Sequence, residues 1–220
     1  MKHRITAIAA VAAFVLGGCI AQAAPKLSPQ PQGTEIAFVQ SIQKDLTARF
    51  PDAAAAEKAG YFRYTNEDNT GAISYTNGQF TSDPTHPSQL WFDVNGNLLG
   101  ADFSQPYAAK KPSVWGVAPE RWIRFGAHVH AVYTDDTGKT VYGRATSVKK
   151  FVAAGGSLTA PTGDAFVKLG FVKSATQVTH AFAFPLMWDL IVWVKPNPAG
   201  AFAEKNPDVK PSANAEKMSE

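Results

Sequence analysis

The only cysteine in this chain is Cys19, and it stands inside a segment with the order of an export signal. The exported domain must therefore hold its fold without a disulfide, through its apolar core and whatever it binds. Lys2, His3 and Arg4 make a cationic start, residues 5–16 form an apolar run, and small residues follow. That run is too short to persist as a membrane-spanning helix. Two cleavage sites are readable. Leu16-Gly17-Gly18-Cys19 is a lipobox that would acylate Cys19 and tether the protein to a membrane, which gives the lone cysteine a reason to be there. Ala21-Gln22-Ala23 before Ala24 fits ordinary signal peptidase instead. Both readings place the protein in the periplasm or, as a lipoprotein, at the outer membrane, and both exclude thiol catalysis and cysteine-ligated zinc.

The mature chain fits one domain, and a chain of this size buries roughly 70% of its unfolded surface. Without Lys2 and Arg4, 19 basic residues face 18 acidic ones, so the net charge falls from +3 to +1. Lys110-Lys111 and Lys149-Lys150 are the adjacent basic pairs, and no basic stripe is present. Nucleic acid is excluded as a partner on that ground.

Residues 1–23 are the signal, and 24–33, rich in proline, read as an extended tether. Residues 34–205 form one domain, and 206–220 are too polar to bury enough surface to order themselves. Ile36, Val39, Ile42 and Leu46 recur at helical spacing, which predicts a helix to about Arg49 with Thr34 as its cap. Pro51 suits the first turn of a second helix over 53–59, ended by Gly60. After Tyr61 the texture turns to short aromatic and β-branched runs. Asn95-Gly96 predicts a type I′ hairpin between 90–94 and 98–103. A second hairpin runs through 122–134 and back over 140–148, turning at Asp135-Asp136-Thr137-Gly138, whose acidic residues serve local hydrogen bonds. A short helix is expected over 164–169, and a buried strand over 188–194, stopped by Pro196 and Pro198. No internal repeat stands out. The fold class is α+β: a mainly antiparallel sheet of about five to seven strands, covered on one face by the N-terminal helices.

The chemistry centres on histidines. In the stretch 122–133, strand alternation puts Ile123, Phe125, Ala127, Val129, Ala131 and Tyr133 on one face. The other, uncovered face receives Trp122, Arg124, His128 and His130. Two imidazoles two residues apart sit about 7 Å apart at their Cα atoms, near enough to share an ion or a ligand. His180, in a second apolar strand, is the candidate third metal ligand, and imidazole ligation favours zinc or copper over calcium or magnesium. Asp189, Asp102 and Glu120 are candidate carboxylates, and His86 lies in a proline-rich loop. The aromatic residues between Tyr61 and Trp122 are read first as core filling between helices and sheet. No serine-hydrolase elbow, phosphate loop or dinucleotide fingerprint occurs, so those chemistries are excluded.

Two segments, HPSQLWFDVNGNLLGADF (86–103) and DLIVWVKPNPAGAFAEKNP (189–207), resemble a family of exported bacterial proteins without an established activity. The first is similar to that family's His-Pro, apolar strand, Leu-x-Gly hairpin, and the second to its C-terminal Lys-x-Asn-Pro-x-Gly-x-Phe corner. The resemblance implies export and a single α+β domain. A histidine often occupies the last strand of that family where this chain has Ile191, so a metal site here would fall to His128 and His130.

The leading expectation is a non-enzymatic envelope protein that binds a small molecule or transition metal in a groove containing Arg124, Trp122, His128 and His130. The alternatives are an enzyme with zinc on His128, His130 and His180, hydrolase or lyase in type, and a lipid-tethered module that binds a partner.

Overall fold

Apolar residues on both faces of a sheet demand a covering layer on each side, and this α+β domain supplies both in the computed structural model, which describes residues 27–216. The expected export signal, Cys19 and the two expected cleavage sites lie outside the described residues. Helix α1 (Thr34–Arg49) presents Glu35, Val39, Ile42 and Leu46 to the interior, and α2 (Ala53–Lys58) follows. The stripe departs from expectation at its first position alone: Ile36 is 46% exposed and Glu35 is buried in its place. Thr34 does not cap the helix. Its hydroxyl donates to the Gly116 carbonyl, and the N-cap is Gly33. Pro51 lies just before the cap of α2, which is Asp52, whose carboxylate accepts from the Ala55 N–H.

Six antiparallel strands form the large sheet in the order β1-β2-β3-β4-β9-β5. They are β1 (Phe62–Arg63), β2 (Ile73–Thr76), β3 (Gln89–Phe92), β4 (Leu98–Pro106), β5 (Ile123–Phe125) and β9 (Met187–Trp193). Three more, β6 (His128–Thr134), β7 (Thr140–Ser147) and β8 (Val178–Phe184), form a small sheet in the order β7-β6-β8. Leu90, Phe92, Phe103, Leu190 and Val192 meet α1 and α2 on one face of the large sheet. Each such fully buried side chain contributes roughly 1.5–3 kcal/mol. Its other face meets the small sheet through Met187, Phe182, Phe184 and Tyr64. The small sheet packs its outer face, with Val129 and Ala131, on Phe151 of α3 (Val148–Ala153) and Phe166 of α4 (Gly163–Lys168). Four layers result, helices outside and two sheets within.

The long strand expected over 122–134 is cut at Gly126 and Ala127. Phe125 pairs with Met187 in the large sheet, whereas His128 pairs with Phe184 in the small one. The chain steps between sheets there, and it steps back between β8 and β9. Hence the histidine face is not the uncovered side of one sheet; it looks into the layer between two.

Three turns share one construction, which the sequence reading expected at Asp135 and passed over at Asp68 and Asp93. At Asp68, Asp93 and Asp135 the carboxylate accepts from the N–H groups two and four residues on, and Gly71, Gly96 or Gly138 alone takes a positive φ, of 82°, 80° and 84°. The β3–β4 turn is therefore an aspartate-held loop and not type I′, since Asn95 keeps a negative φ. Gly100 has a different reason: a Cβ there would stand 2.8 Å from both the Trp91 ring and the Val192 carbonyl. Gly100→Ala is expected to lose about 1–3 kcal/mol in urea denaturation through overpacking.

Both ends of the described residues are docked. Arg121 holds the Ser28 and Gln30 carbonyls, so residues 27–33 do not form a free tether. Beyond Asn206 the chain covers the rest of the large sheet: Val209 packs with Leu99 and Trp193, and Glu67 accepts from Ser212. The apolar Val209 and the carboxylate of Glu67 supply what the polar composition of 206–216 lacks by itself.

Candidate functional site

His128 and His130 point the same way from β6 because strand side chains alternate, and β8 sets Phe184 and Phe182 directly opposite them. The rings stack on those partners, His128 on Phe184 at 4.8 Å and His130 on Phe182 at 5.4 Å between centroids. Tyr64 stands edge-on to His130 at 5.0 Å. The two Nε2 atoms are 2.9 Å apart.

The hydrogen-bond network assigns the protons. The Gly126 carbonyl lies 2.8 Å from His128 Nδ1 and only accepts, so His128 is protonated at Nδ1 and its Nε2 carries a lone pair. His130 then donates from Nε2, which leaves its Nδ1 as an acceptor, buried and without a donor. Burial lowers the pKa of His128, and burial together with the neighbouring His128 lowers that of His130 to about 3. Both rings are neutral at ordinary pH.

Across the layer, β4 and β9 carry Asp102 and Asp189, 4% and 3% exposed. Asp102 Oδ2 accepts from the Trp91 indole N–H at 3.1 Å. The other oxygens, Asp102 Oδ1 and Asp189 Oδ1, find no donor, and neither does the Ser104 hydroxyl find a partner. Burial raises both pKa values, that of Asp189 to about 7, and the Asp189 charge raises Asp102 further. A proton carried by Asp102 is within reach of Asp189, so the two carboxyls titrate as a pair. Tyr64 links the two halves, since its hydroxyl donates to Gln89, the cross-strand partner of Asp102.

The remaining expected site residues are elsewhere. Arg124 is exposed and lies over the Tyr107 ring at 5.4 Å, and Trp122 is fully buried in the helix-side core. The switch between sheets parts them from the histidines. His180, opposite Val132, stacks on Phe62 at 4.2 Å. Glu120 is exposed on the single turn Pro119–Arg121, and His86 Nδ1 meets Asp83 in a surface turn. Among the described residues, no three His, Cys, Asp or Glu side chains converge. The aromatic set divides: Tyr61, Tyr75 and Trp115 fill the helix-side core, whereas Phe62, Tyr64 and Phe80 join the cluster between the sheets. Gln89 and Ser104 carry no sequence signal, because only the pairing of distant strands brings them here, and Tyr64 is legible only as one of the core-filling aromatics. A cleft of about 470 Å³ lies apart from this layer, between Gln32–Glu35 and Gly116–Pro119.

No family model, curated protein or solved structure matches the chain.

Proposed function

We propose that this is an exported protein of the cell envelope that binds, rather than transforms, a transition metal or small ligand at the His128–His130 pair. The observation behind the reading is the 2.9 Å separation of two Nε2 atoms on rings that burial keeps neutral. Neutral imidazole nitrogens suit zinc or copper. The Gly126 carbonyl supplies the contact that metal-bound imidazoles usually make through their second nitrogen, fixing the tautomer and aiming Nε2 at the neighbouring ring. Uptake of an ion between the two Nε2 atoms needs His130 to move its proton from Nε2 to the free Nδ1, so that both rings stay neutral and both Nε2 lone pairs face the metal. The zinc-enzyme reading needs His180 as a third ligand, and that ring is engaged with Phe62. Binding is therefore favoured over turnover.

A second reading rests on His130 Nδ1, an acceptor with no donor among stacked rings. It suits an organic ligand that offers one N–H or O–H and a planar apolar body.

The test is the metal content of residues 24–220, purified without a histidine tag, beside the His128→Ala, His130→Ala double variant. Close to one equivalent of zinc or copper is expected in the wild type and none in the variant, with circular dichroism unchanged. If reconstituted wild type retains neither metal, the metal reading falls. Native mass spectrometry of protein taken from the envelope then tests the organic ligand, as an adduct absent from the variant.

A further inference from the structure

We propose that Asp102, Asp189 and Ser104 form a second, oxygen-lined site that takes one divalent cation of the magnesium or manganese kind between the two sheets. Ser104 is the direct cross-strand partner of Asp189, and Asp102 lies two residues before it on β4, so all three side chains leave the large sheet on the same face. Each is at least 96% buried; Ser104 Oγ has no partner, and Asp102 Oδ1 and Asp189 Oδ1 have none but the proton that the pair can share. Leaving such groups unserved in a buried layer costs about 1–3 kcal/mol apiece, and more for a charge. The Trp91 indole fixes the outer oxygen of Asp102, which leaves Oδ1 as its free one.

Charge and donor type select the occupant. Two carboxylates carry two negative charges. A shared proton offsets one of them, whereas a divalent cation offsets both. The donors are all oxygen, which suits a hard cation and contrasts with the nitrogen pair on β6. Three protein oxygens are too few for calcium, which takes six to eight ligands, but match magnesium or manganese, which keep several waters and need only one or two carboxylates. The site is independent of the histidine pair, and either can fail alone.

Manganese is the probe, because binding removes its free-ion electron paramagnetic resonance signal. The mature protein is refolded from urea with manganese present, so that burial does not bar entry. One equivalent is expected in the wild type, displaced by excess magnesium, and retained in the His128→Ala, His130→Ala variant. Asp102→Asn, Asp189→Asn and Ser104→Ala are each expected to weaken binding, the Asn variants at least tenfold. Both Asn variants remove a buried charge, so they should fold. No bound manganese in refolded wild type would overturn the proposal, as would wild-type affinity in both Asn variants. Loss in the histidine variant alone would assign the ion to the imidazoles and overturn it equally.

Discussion

Arg121→Ala should destabilise the domain by about 3–5 kcal/mol, the range for removing one partner of a buried ion pair. Arg121 and Glu35 have side chains only 4% exposed, and they meet in a fork: Nε donates to Oε1 at 3.0 Å and Nη2 to Oε2 at 2.8 Å. Burial raises the pKa of Glu35, but the Arg121 hydrogen bonds and the Gln32 and Ala118 N–H groups outweigh it and hold the carboxyl below its usual value. The same guanidinium lies over the Phe202 ring at 4.5 Å and donates to the Ser28 and Gln30 carbonyls. One side chain thus joins α1, the N-terminal segment and the C-terminal corner. The variant leaves a buried carboxylate uncompensated and frees the segment before α1. Urea denaturation reads the first effect and limited proteolysis near Gln30 reads the second. The Arg121→Ala, Glu35→Leu double variant should recover part of the loss, because the orphaned charge is then gone. A loss below about 1 kcal/mol in Arg121→Ala would contradict the assignment.

That pair also marks where sequence reading stops. Periodicity places α1 over the right stretch but takes Thr34 as its cap, assigns Ile36 to the core and passes over Glu35, because the partner that makes a buried carboxylate tolerable lies far along the chain. The strands over 89–92, 98–106 and 187–193 are legible, since they are apolar and bounded by turn residues. Alternation also correctly puts His128 and His130 on one face. It cannot say that the strand breaks at Gly126, because Ile123 and Val129 satisfy the same period while pairing in different sheets. What depends on the break follows from it: Arg124 departs, and the expected open face becomes an interior layer. His180 is a separate case, since it shares the small sheet with the histidine pair and stacks on Phe62. The acid pair was legible as two candidate carboxylates and illegible as a pair, because β4 and β9 are neighbours only through a long-range antiparallel register.

The opposing titrations of that layer yield the second large effect. His130 has a folded pKa of about 3 against about 6.5 unfolded, so its contribution is present above 6.5 and is lost as pH falls from there toward 3. Asp189 runs the other way: its folded pKa is about 7 against about 3.8 unfolded, so its contribution is present below 3.8 and is lost as pH rises toward 7. The His130 and Asp189 slopes are each about 1.4 kcal/mol per pH unit and opposite in sign between about pH 4 and 6.5, and Asp102, whose pKa is also raised, adds to the carboxyl side. With chelator present to keep the acid pair free of cations, Asp102→Asn, Asp189→Asn should expose the histidine slope. Relative to wild type, that variant should lose at least about 3 kcal/mol on acidification from pH 6.5 to 4, the Asp189 share alone. His130→Phe should expose the carboxyl slope and become relatively more stable, by a similar amount, over the same interval. Glu35 and Asp83, whose pKa values are lowered, give the same background in all three proteins and cancel in the comparison. Urea denaturation at a series of pH values reads all three. Parallel stability curves would mean that water reaches the layer and solvates both pairs, which would remove the dry environment on which the neutral imidazoles and the shared proton depend.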